Sequence, residues 1–539
     1  MKKIALGILA VLAAVFAFGG CVHADLNSLL GNSLDSSIIE SGTDSEEVES
    51  SSTNDESNSG EDGGQSTPDD GNGGNQTTPD DGNGGNQTTP DDGNGGNQTT
   101  PDDEEDNEPE VVEGVRVVDF TKARNVKDVT DQYSYEGGCP TTGQLNVLVI
   151  PVEFSDVTAA SKGYQIDKIK TIFNGETGTT DYYSVKEYYS ISSYGQLDLN
   201  FVVWEEWFRP YSDSKYYIKA KDSEGYENGD QIVLDEALEY LETRMNLQEF
   251  DSDRNGMIDA VVMINTLDIN SRVTLQWAYR YWNYLTNNRG GYYKYDGVYA
   301  NDYLWASYKF MLETRENGRT TYDENTMNPY TYIHEFGHVL GADDYYDTSY
   351  TNDYGPMDGY DVMDMMIGDH NAYTKFNYGW LTKSRLITAE ESVTISLKSF
   401  TETGETLIIA NNWSDKLGAY QEYFIIVYYR NTGLNGGEYG YFEEEGIVVY
   451  HVNATLVSER INGKDCYDVA NNNTDPSDEY GTENNLIELV QSVNGSYVYG
   501  EYESLSANEK LDNGEKISYV FTVNSITEEK ATITFRKNA

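Results

Sequence analysis

The chain has 539 residues, of which 38% are hydrophobic, and a formal net charge of −56 at pH 7. This length allows two or three folded units. The strong acidity argues against nucleic acid or anionic lipid as a binding partner, because Lys and Arg would have to neutralise either one.

The first 21 residues have the pattern of an export signal. Lys2 and Lys3 precede an apolar run over residues 4–18, which is too short to span a bilayer comfortably. Two glycines then precede Cys21, as in a lipoprotein processing site. We therefore predict a lipoprotein signal peptide over residues 1–21 and a lipidated Cys21 that anchors the protein to the membrane at a bacterial cell surface. An ordinary secretory signal, which would release the protein, is the alternative.

Residues 22–112 are rich in Ser, Asp, Glu, Gly and Asn. They include an 11-residue repeat that starts at Thr67, Thr78 and Thr89 with the sequence TPDDGNGGNQT. The repeat has no apolar position that could form a stacked core, and its composition cannot offset the entropy lost on ordering. We predict a disordered linker that holds the folded part away from the membrane.

Two other cysteines, Cys139 and Cys466, lie beyond this linker. They could form a disulfide in an exported protein, or they could remain free thiols. The sequence alone leaves this pairing open.

The folded part begins with alternating strand and helix patterns. Apolar runs predict strands at 144–154, 196–204 and 260–264, and amphipathic or capped segments predict helices at 184–193 and 229–247. This alternation favours an α/β or α+β catalytic domain with a mixed sheet, over residues 113–390. Short alternating runs at 393–397, 423–429 and 531–535 then predict a β-sandwich-like domain over residues 391–539.

The segment 328–341, NPYTYIHEFGHVLG, predicts a short helix. Asn328 is a suitable N-cap, Pro329 suits the first helical position, and Gly341 is a natural stop. The apolar residues of this helix share one side, which we expect to face a core: Ile333, Phe336, Val339 and Leu340. His334 and His338 are four residues apart and lie together on the opposite side.

Two imidazoles in this arrangement form half of a typical zinc site. Glu335 would act as the general base that accepts a proton from zinc-activated water. Asp344 is ten residues after His334, beyond the turn at Gly341, and is the predicted third zinc ligand. Three other side chains remain alternatives for that position: Asp343, Asp347 and His370.

Some twenty residues later, the segment 359–364 contains Met363, which we predict to form a Met turn below the zinc. Met365 and Met366 are the alternatives for this role. His370 follows shortly after. It could donate a hydrogen bond to the transition state, orient a ligand, or be a structural histidine.

The region from about residue 140 to 455 resembles the immune inhibitor A group of bacterial secreted metalloproteases. The segments that carry the resemblance are the HExxHxxGxxD motif at 334–344 and the stretches at 147–154, 185–197, 344–347, 368–381, 422–426 and 446–452. It implies a metzincin-like fold, zinc, calcium and a protein or peptide substrate. The alternative is a catalytically inactive protease fold that serves as an adhesin or a glycan-binding surface protein.

A second metal site is predicted at the loop DSDRNGMID. Asp251, Asp253, Asn255 and Asp259 occupy the first, third, fifth and ninth positions of an EF-hand-like loop. The twelfth position is Val262, so the usual bidentate Glu is missing. We predict a structural calcium ion here, and an acidic turn without an ion is the alternative.

Overall fold

A computed structural model describes residues 112–121, 129, 139–223, 225, 227–283, 293–316, 319–348, 355–437, 440–461, 464–475, 477 and 481–538. The predicted signal peptide, Cys21 and nearly all of the predicted linker lie outside these residues. Within the described part, no helix is long and apolar enough to cross a membrane.

The described residues contain eight α-helices: α1 (Ala159–Lys162), α2 (Ile166–Asn174), α3 (Val185–Ser192), α4 (Ser214–Ile218), α5 (Gly229–Leu241), α6 (Tyr330–Val339), α7 (Ala372–Asn377) and α8 (Phe400–Thr403). Helix α3 begins at a capping box in which Ser184 and Glu187 exchange side-chain-to-backbone hydrogen bonds. Helix α5 ends earlier than the predicted span of 229–247. Asn246 instead caps a separate 3₁₀ turn, Leu247–Phe250, by accepting the N–H of Gln248.

The strands, numbered in chain order, are β1 (Val115–Asp119), β2 (Gly143–Val152), β3 (Leu197–Val203), β4 (Met257–Ile258), β5 (Val261–Asn265), β6 (Tyr279–Trp282), β7 (Tyr299–Ala300), β8 (Asp302–Ser307), β9 (Glu313–Glu316), β10 (Arg319–Tyr322), β11 (Lys383–Ile387), β12 (Ser392–Leu397), β13 (Leu407–Ile409), β14 (Glu422–Tyr429), β15 (Gly446–Asn453), β16 (Val457–Ile461), β17 (Lys464–Asp468), β18 (Ile487–Leu489), β19 (Val498–Tyr499), β20 (Tyr519–Ile526) and β21 (Ala531–Lys537).

The first sheet has the order β3-β2-β5-β8-β6. Its first four strands are parallel, and β6 is antiparallel at one edge, so the sheet is mixed. Strand β2 is buried on both faces: Val147 and Val149 pack in one core with α2, α3 and α6. Leu148 and Ile150 pack in another core with α5. Because both faces are covered, β2 is a continuous apolar run rather than an alternating one.

The second sheet has the order β1-β11-β13-β14-β15-β18, with β19 also paired to β15. Its strand β14 alternates between two cores. Phe424 and Ile426 face the antiparallel sheet β12-β21-β20 and form a sandwich core with it. Ile425 and Val427 face the same core as helix α6. The second sheet therefore separates the sandwich core from the core that carries the predicted zinc helix.

The second sheet draws strands from both sides of residue 390. Strand β1 pairs antiparallel with β11, and β11 pairs parallel with β13. Both β1 and β11 lie within the range 113–390 that the sequence assigned to the catalytic domain. All the described residues belong to one compact unit.

Cys139 is a buried, free thiol in this unit. The disulfide with Cys466 that the sequence left open is therefore not formed here. Burial raises the pKa of Cys139 well above its usual value, and the charges of Asp259, Asp302 and Asp253 raise it further. A neutral buried thiol of this kind behaves as a small apolar side chain.

Candidate metal centre

Helix α6 carries the HExxH motif and runs from Tyr330 to Val339. It begins one residue later than predicted, because Pro329 is the N-cap rather than the first helical residue. Asn328, just before this N-cap, satisfies one helical N–H, since its Oδ1 accepts the N–H of Tyr330 at 2.9 Å. At the other end, Gly341 has a φ of 105°, a backbone conformation that would be strained for any residue other than Gly. The chain thereby turns back toward the helix.

This turn brings Asp344 to the two histidines of the helix. Nε2 of His334 lies 3.2 Å from Nε2 of His338. Oδ1 of Asp344 lies 3.3 Å from the first nitrogen and 3.2 Å from the second. Zinc–ligand bonds of about 2.0–2.1 Å in a tetrahedron place any two ligand atoms roughly 3.3 Å apart. The three atoms therefore fit three corners of a zinc coordination tetrahedron.

The other ring nitrogens determine which protons the histidines carry. Nδ1 of His334 lies 2.7 Å from the carbonyl oxygen of Val362, and Nδ1 of His338 lies 2.7 Å from that of Ala342. A carbonyl oxygen only accepts hydrogen bonds, so each Nδ1 carries a proton and donates it. In the neutral ring, Nε2 then presents a lone pair to the other histidine and to Asp344. This is the orientation that backbone carbonyls impose on histidines that bind metals.

The charges of the three residues favour a shared cation. Asp344 is buried, and its Oδ1 has no hydrogen-bond donor among the described residues unless an imidazole is protonated. Burial opposes the charged carboxylate, yet His338 and His334 hold the pKa of Asp344 well below its usual range. Burial likewise opposes a charged His334, but Asp344 raises the pKa of that imidazole to about 9. A divalent cation would supply the positive charge that this pocket stabilises.

Glu335 lies beside this group and is also buried. Burial raises the pKa of its carboxyl group, while positive charge on His334 and His338 lowers it. The backbone N–H of Arg280, in edge strand β6, also donates to this carboxyl group and lowers its pKa. Glu335 therefore lies between the edge strand and the candidate metal ligands.

Two tyrosines hold helix α6 from its buried side. The hydroxyl of Tyr189 donates to the carbonyl of Ile333 at 2.6 Å, and that of Tyr378 donates to the carbonyl of Gly337 at 2.6 Å. A Cβ at position 337 would lie 2.6 Å from Sδ of Met363, which is closer than such atoms can approach. Gly337 therefore lets the helix sit directly on Met363.

Of the three methionines considered for the Met turn, Met363 is the one against the helix. It is fully buried, whereas Met365 is 40% exposed and Met366 is half-buried. The turn is held by Asp361, whose two oxygens accept the N–H of Met363 and the side-chain amide of Asn371, both at 2.9 Å. Burial raises the pKa of Asp361 to about 7.

The other candidates for the third ligand do not join the histidines. The group of potential ligand atoms within 4.8 Å of one another contains His334, His338 and Asp344, and neither Asp343 nor Asp347 belongs to it. His370 is fully buried in a cage of aromatic rings. These rings are Tyr188, Tyr189, Tyr378 and Trp380.

The two ring nitrogens of His370 have no hydrogen-bond partner among the described residues. Burial lowers its pKa well below the usual value, and positive charge on Lys375, His334 and His338 lowers it further. His370 is therefore a neutral core residue near His334 and His338. The structure does not place it among the three converging atoms.

The predicted calcium loop brings three carboxylates together. Oxygens of Asp251, Asp253 and Asp259 lie within 4.8 Å of one another. Asn255 is engaged inside the loop: its Oδ1 accepts the N–H of Met257 at 2.8 Å, and its amide donates to Asp253 at 2.9 Å. Burial raises the pKa of Asp259, and the neighbouring Asp253 and Asp251 raise it further. Calcium at this loop remains a prediction.

Sequence patterns missed the residues that orient the ligands. The carbonyls of Val362 and Ala342 act through the backbone, so their side chains give no signal. Arg280, which contacts Glu335 rather than a candidate ligand, also acts through its backbone. The sequence had only one usable clue, namely that the turn at Gly341 would return the chain toward His338.

No protein-family model matches this chain, and no curated protein matches it significantly. The resemblance to immune inhibitor A proteases therefore remains a prediction from the motifs.

Proposed function

We propose that this chain is a zinc-dependent endopeptidase. The observation that carries the proposal is the triangle of Nε2 of His334, Nε2 of His338 and Oδ1 of Asp344, with separations of 3.2–3.3 Å. A histidine–histidine–carboxylate set leaves a fourth tetrahedral position for solvent, as hydrolytic zinc sites require. The metal, when bound, would activate a water molecule and polarise the carbonyl of the scissile peptide bond.

Glu335 would accept the proton of the attacking water and return it to the leaving amine. Its burial supports this role, because a raised pKa brings a carboxylate closer to the pH at which it both accepts and donates protons. The carbonyls of Val362 and Ala342 keep the Nδ1 protons in place, so the two Nε2 atoms remain available as ligands.

The location and substrates are proposed from the sequence. A lipidated Cys21 and a long acidic linker would hold the enzyme at the bacterial cell surface, where extracellular proteins or peptides are the accessible substrates. Calcium at the loop of Asp251, Asp253, Asn255 and Asp259 would be structural, because these residues form a group separate from the candidate zinc ligands.

The test is cleavage of casein by the mature full chain, with and without a chelator, together with metal analysis. We expect one zinc per chain and zinc-dependent cleavage. Glu335→Gln should retain the zinc and lose about 10²–10⁴-fold in turnover, since it keeps the shape of the side chain but cannot accept a proton. Glu324→Gln, at an exposed glutamate, is the matched control and should cleave like the wild type.

Two results would count against the proposal in different ways. A chain that binds zinc but does not cleave would favour the inactive adhesin or glycan-binding alternative. A chain that binds no zinc would remove the metal centre itself.

A further inference from the structure

Strand β18 is joined to the loop that carries Asp344 through one buried side chain. Asn472 is 1% exposed and lies in the loop that precedes strand β18. Its amide nitrogen donates to the carbonyl oxygen of Tyr345 at 2.7 Å and to that of Ile487 at 3.0 Å. Its Oδ1 accepts the N–H of Ile487 at 3.1 Å. One amide group therefore joins strand β18 to the residue that directly follows Asp344.

Tyr345 is fixed at three further points of its own. Its backbone N–H donates to the carbonyl of Met363 at 2.8 Å. Its hydroxyl is hydrogen-bonded to Oγ1 of Thr374 at 2.6 Å, and its ring is almost fully buried. The segment that carries Asp344 is a loop rather than a helix or strand. The position of the Asp344 carboxylate therefore depends on these anchors, since no ladder of backbone hydrogen bonds holds it.

We propose that Asn472 is a positioning residue for the metal centre. Through it, the segment that contains the loop before β18 and strand β18 sets the affinity of the metal site. This inference rests on the proposed function, because it assumes that Asp344 is a metal ligand. Zinc ligands must be within about 0.2 Å of their proper distances, and Asp344 is one bond away from the residue that Asn472 holds. Removing a group that is hydrogen-bonded directly to a metal ligand typically changes metal affinity by about 10–100-fold, and this range is the scale for a residue that fixes the next residue in the chain.

The chemistry of the site explains why an amide is needed. Two carbonyl oxygens face Nδ2, and one N–H faces Oδ1, so the side chain must donate and accept at the same time. The change Asn472→Asp would place a carboxylate against two carbonyl oxygens, and an apolar side chain would leave the carbonyl of Tyr345 without its buried donor. Leucine has a similar branched shape and lacks only the hydrogen bonds.

The experiment compares Asn472→Leu with Asn473→Leu in the full chain. Asn473 is the neighbouring residue, is equally buried, and its side chain accepts the N–H of Asp475, whereas that of Asn472 donates to the carbonyl of Tyr345. Both variants lose a buried amide, so both should lower the melting temperature of the metal-free protein. Only Asn472→Leu should weaken zinc binding, by about 10–100-fold in competition with a chromogenic chelator. It should also change the visible absorption bands of the cobalt-loaded protein.

A measurement on the wild type covers the case in which Asn472→Leu does not fold. If Asn472 couples the loop that carries Asp344 to the loop before β18, zinc binding must in return stabilise the residues around Asn472. Zinc should then slow hydrogen exchange in peptides that contain residues 470–473 and 486–489. Peptides from strand β20, which belongs to the other sheet of the sandwich, should exchange at an unchanged rate.

The outcomes separate this inference from the proposed function. If the wild type binds zinc, but Asn472→Leu binds it as tightly as Asn473→Leu does, the inference is wrong and the metal centre stands. Unchanged exchange at residues 470–473 and 486–489 on zinc binding leads to the same conclusion. If the wild type binds no zinc at all, the proposed function fails first.

Discussion

We predict that His451 makes the stability of the protein depend on pH. It lies on strand β15, with Nε2 at 2.9 Å from Oε1 of Glu422 and Nδ1 at 2.8 Å from Oε1 of Glu488. A carboxylate on each ring nitrogen requires a proton on each, so the buried imidazole is charged. Burial alone would lower its pKa, but Glu422 and Glu488 outweigh burial and raise the pKa to about 9.

The magnitude follows from the difference between the folded and unfolded states. An unfolded histidine has a pKa near 6.5, so the shift is about 2.5 units, and each unit corresponds to about 1.36 kcal/mol. The folded state should therefore gain about 3 kcal/mol from protonated His451. This pKa is raised on folding, so the gain is complete below about pH 6.5 and is lost as the pH rises through about 9.

The assay is urea denaturation of the wild type and of His451→Gln at about pH 6 and about pH 10. Comparing the two proteins cancels the other groups that titrate in this range. The wild type should lose about 3 kcal/mol more than the variant between these two pH values. Equal losses in both proteins, or a wild type that gains stability at high pH, would refute the reasoning.

The remaining predictions concern the packing under helix α6. Met363→Ala should lower the free energy of unfolding by about 2–5 kcal/mol, because the Met363 side chain is fully buried. Met365→Ala should change it by less than about 0.5 kcal/mol, because Met365 is exposed. Calorimetry distinguishes the two variants, and similar losses in both would contradict the packing of Met363 under the helix. Gly337→Ala should cost about 1–3 kcal/mol, since its Cβ would meet Sδ of Met363 at 2.6 Å. Combining it with Met363→Ala should cost less than the sum of the single changes, and strict additivity would exclude that contact.

The sequence predicted the helix and the convergence of His334, His338 and Asp344, for physical reasons. The spacing of His334 and His338 is set by the helical repeat, and the apolar face of helix α6 follows from the same periodicity. Asp344 is close enough in sequence for the turn at Gly341 to bring it back to the helix. Each of these depends on fewer than about a dozen consecutive residues, which is the range over which patterns are reliable.

The features that the sequence did not predict depend on distant contacts. Asn472 lies 127 residues beyond Tyr345 in the chain, and nothing near it in sequence marks a contact with the loop that carries Asp344. The pairing of β1 with β11 joins segments more than 250 residues apart, so a boundary drawn at residue 390 could not anticipate it. The sequence pattern predicts an alternating strand at β14, whereas both of its faces are buried, because a second core covers the face that would otherwise meet water.

The burial of β14 on both faces has an evolutionary consequence. Almost every side chain of β14 packs in one of two cores, so a substitution at almost any of its positions must fit a packed interior. Few substitutions in β14 are therefore neutral. Ile425 adjoins the interior that contains helix α6, and Phe424 next to it adjoins the sandwich. A substitution in one core can therefore require a compensating change in the other. We expect the part that contains helix α6 and the sandwich to diverge together in evolution rather than to be exchanged as separate modules.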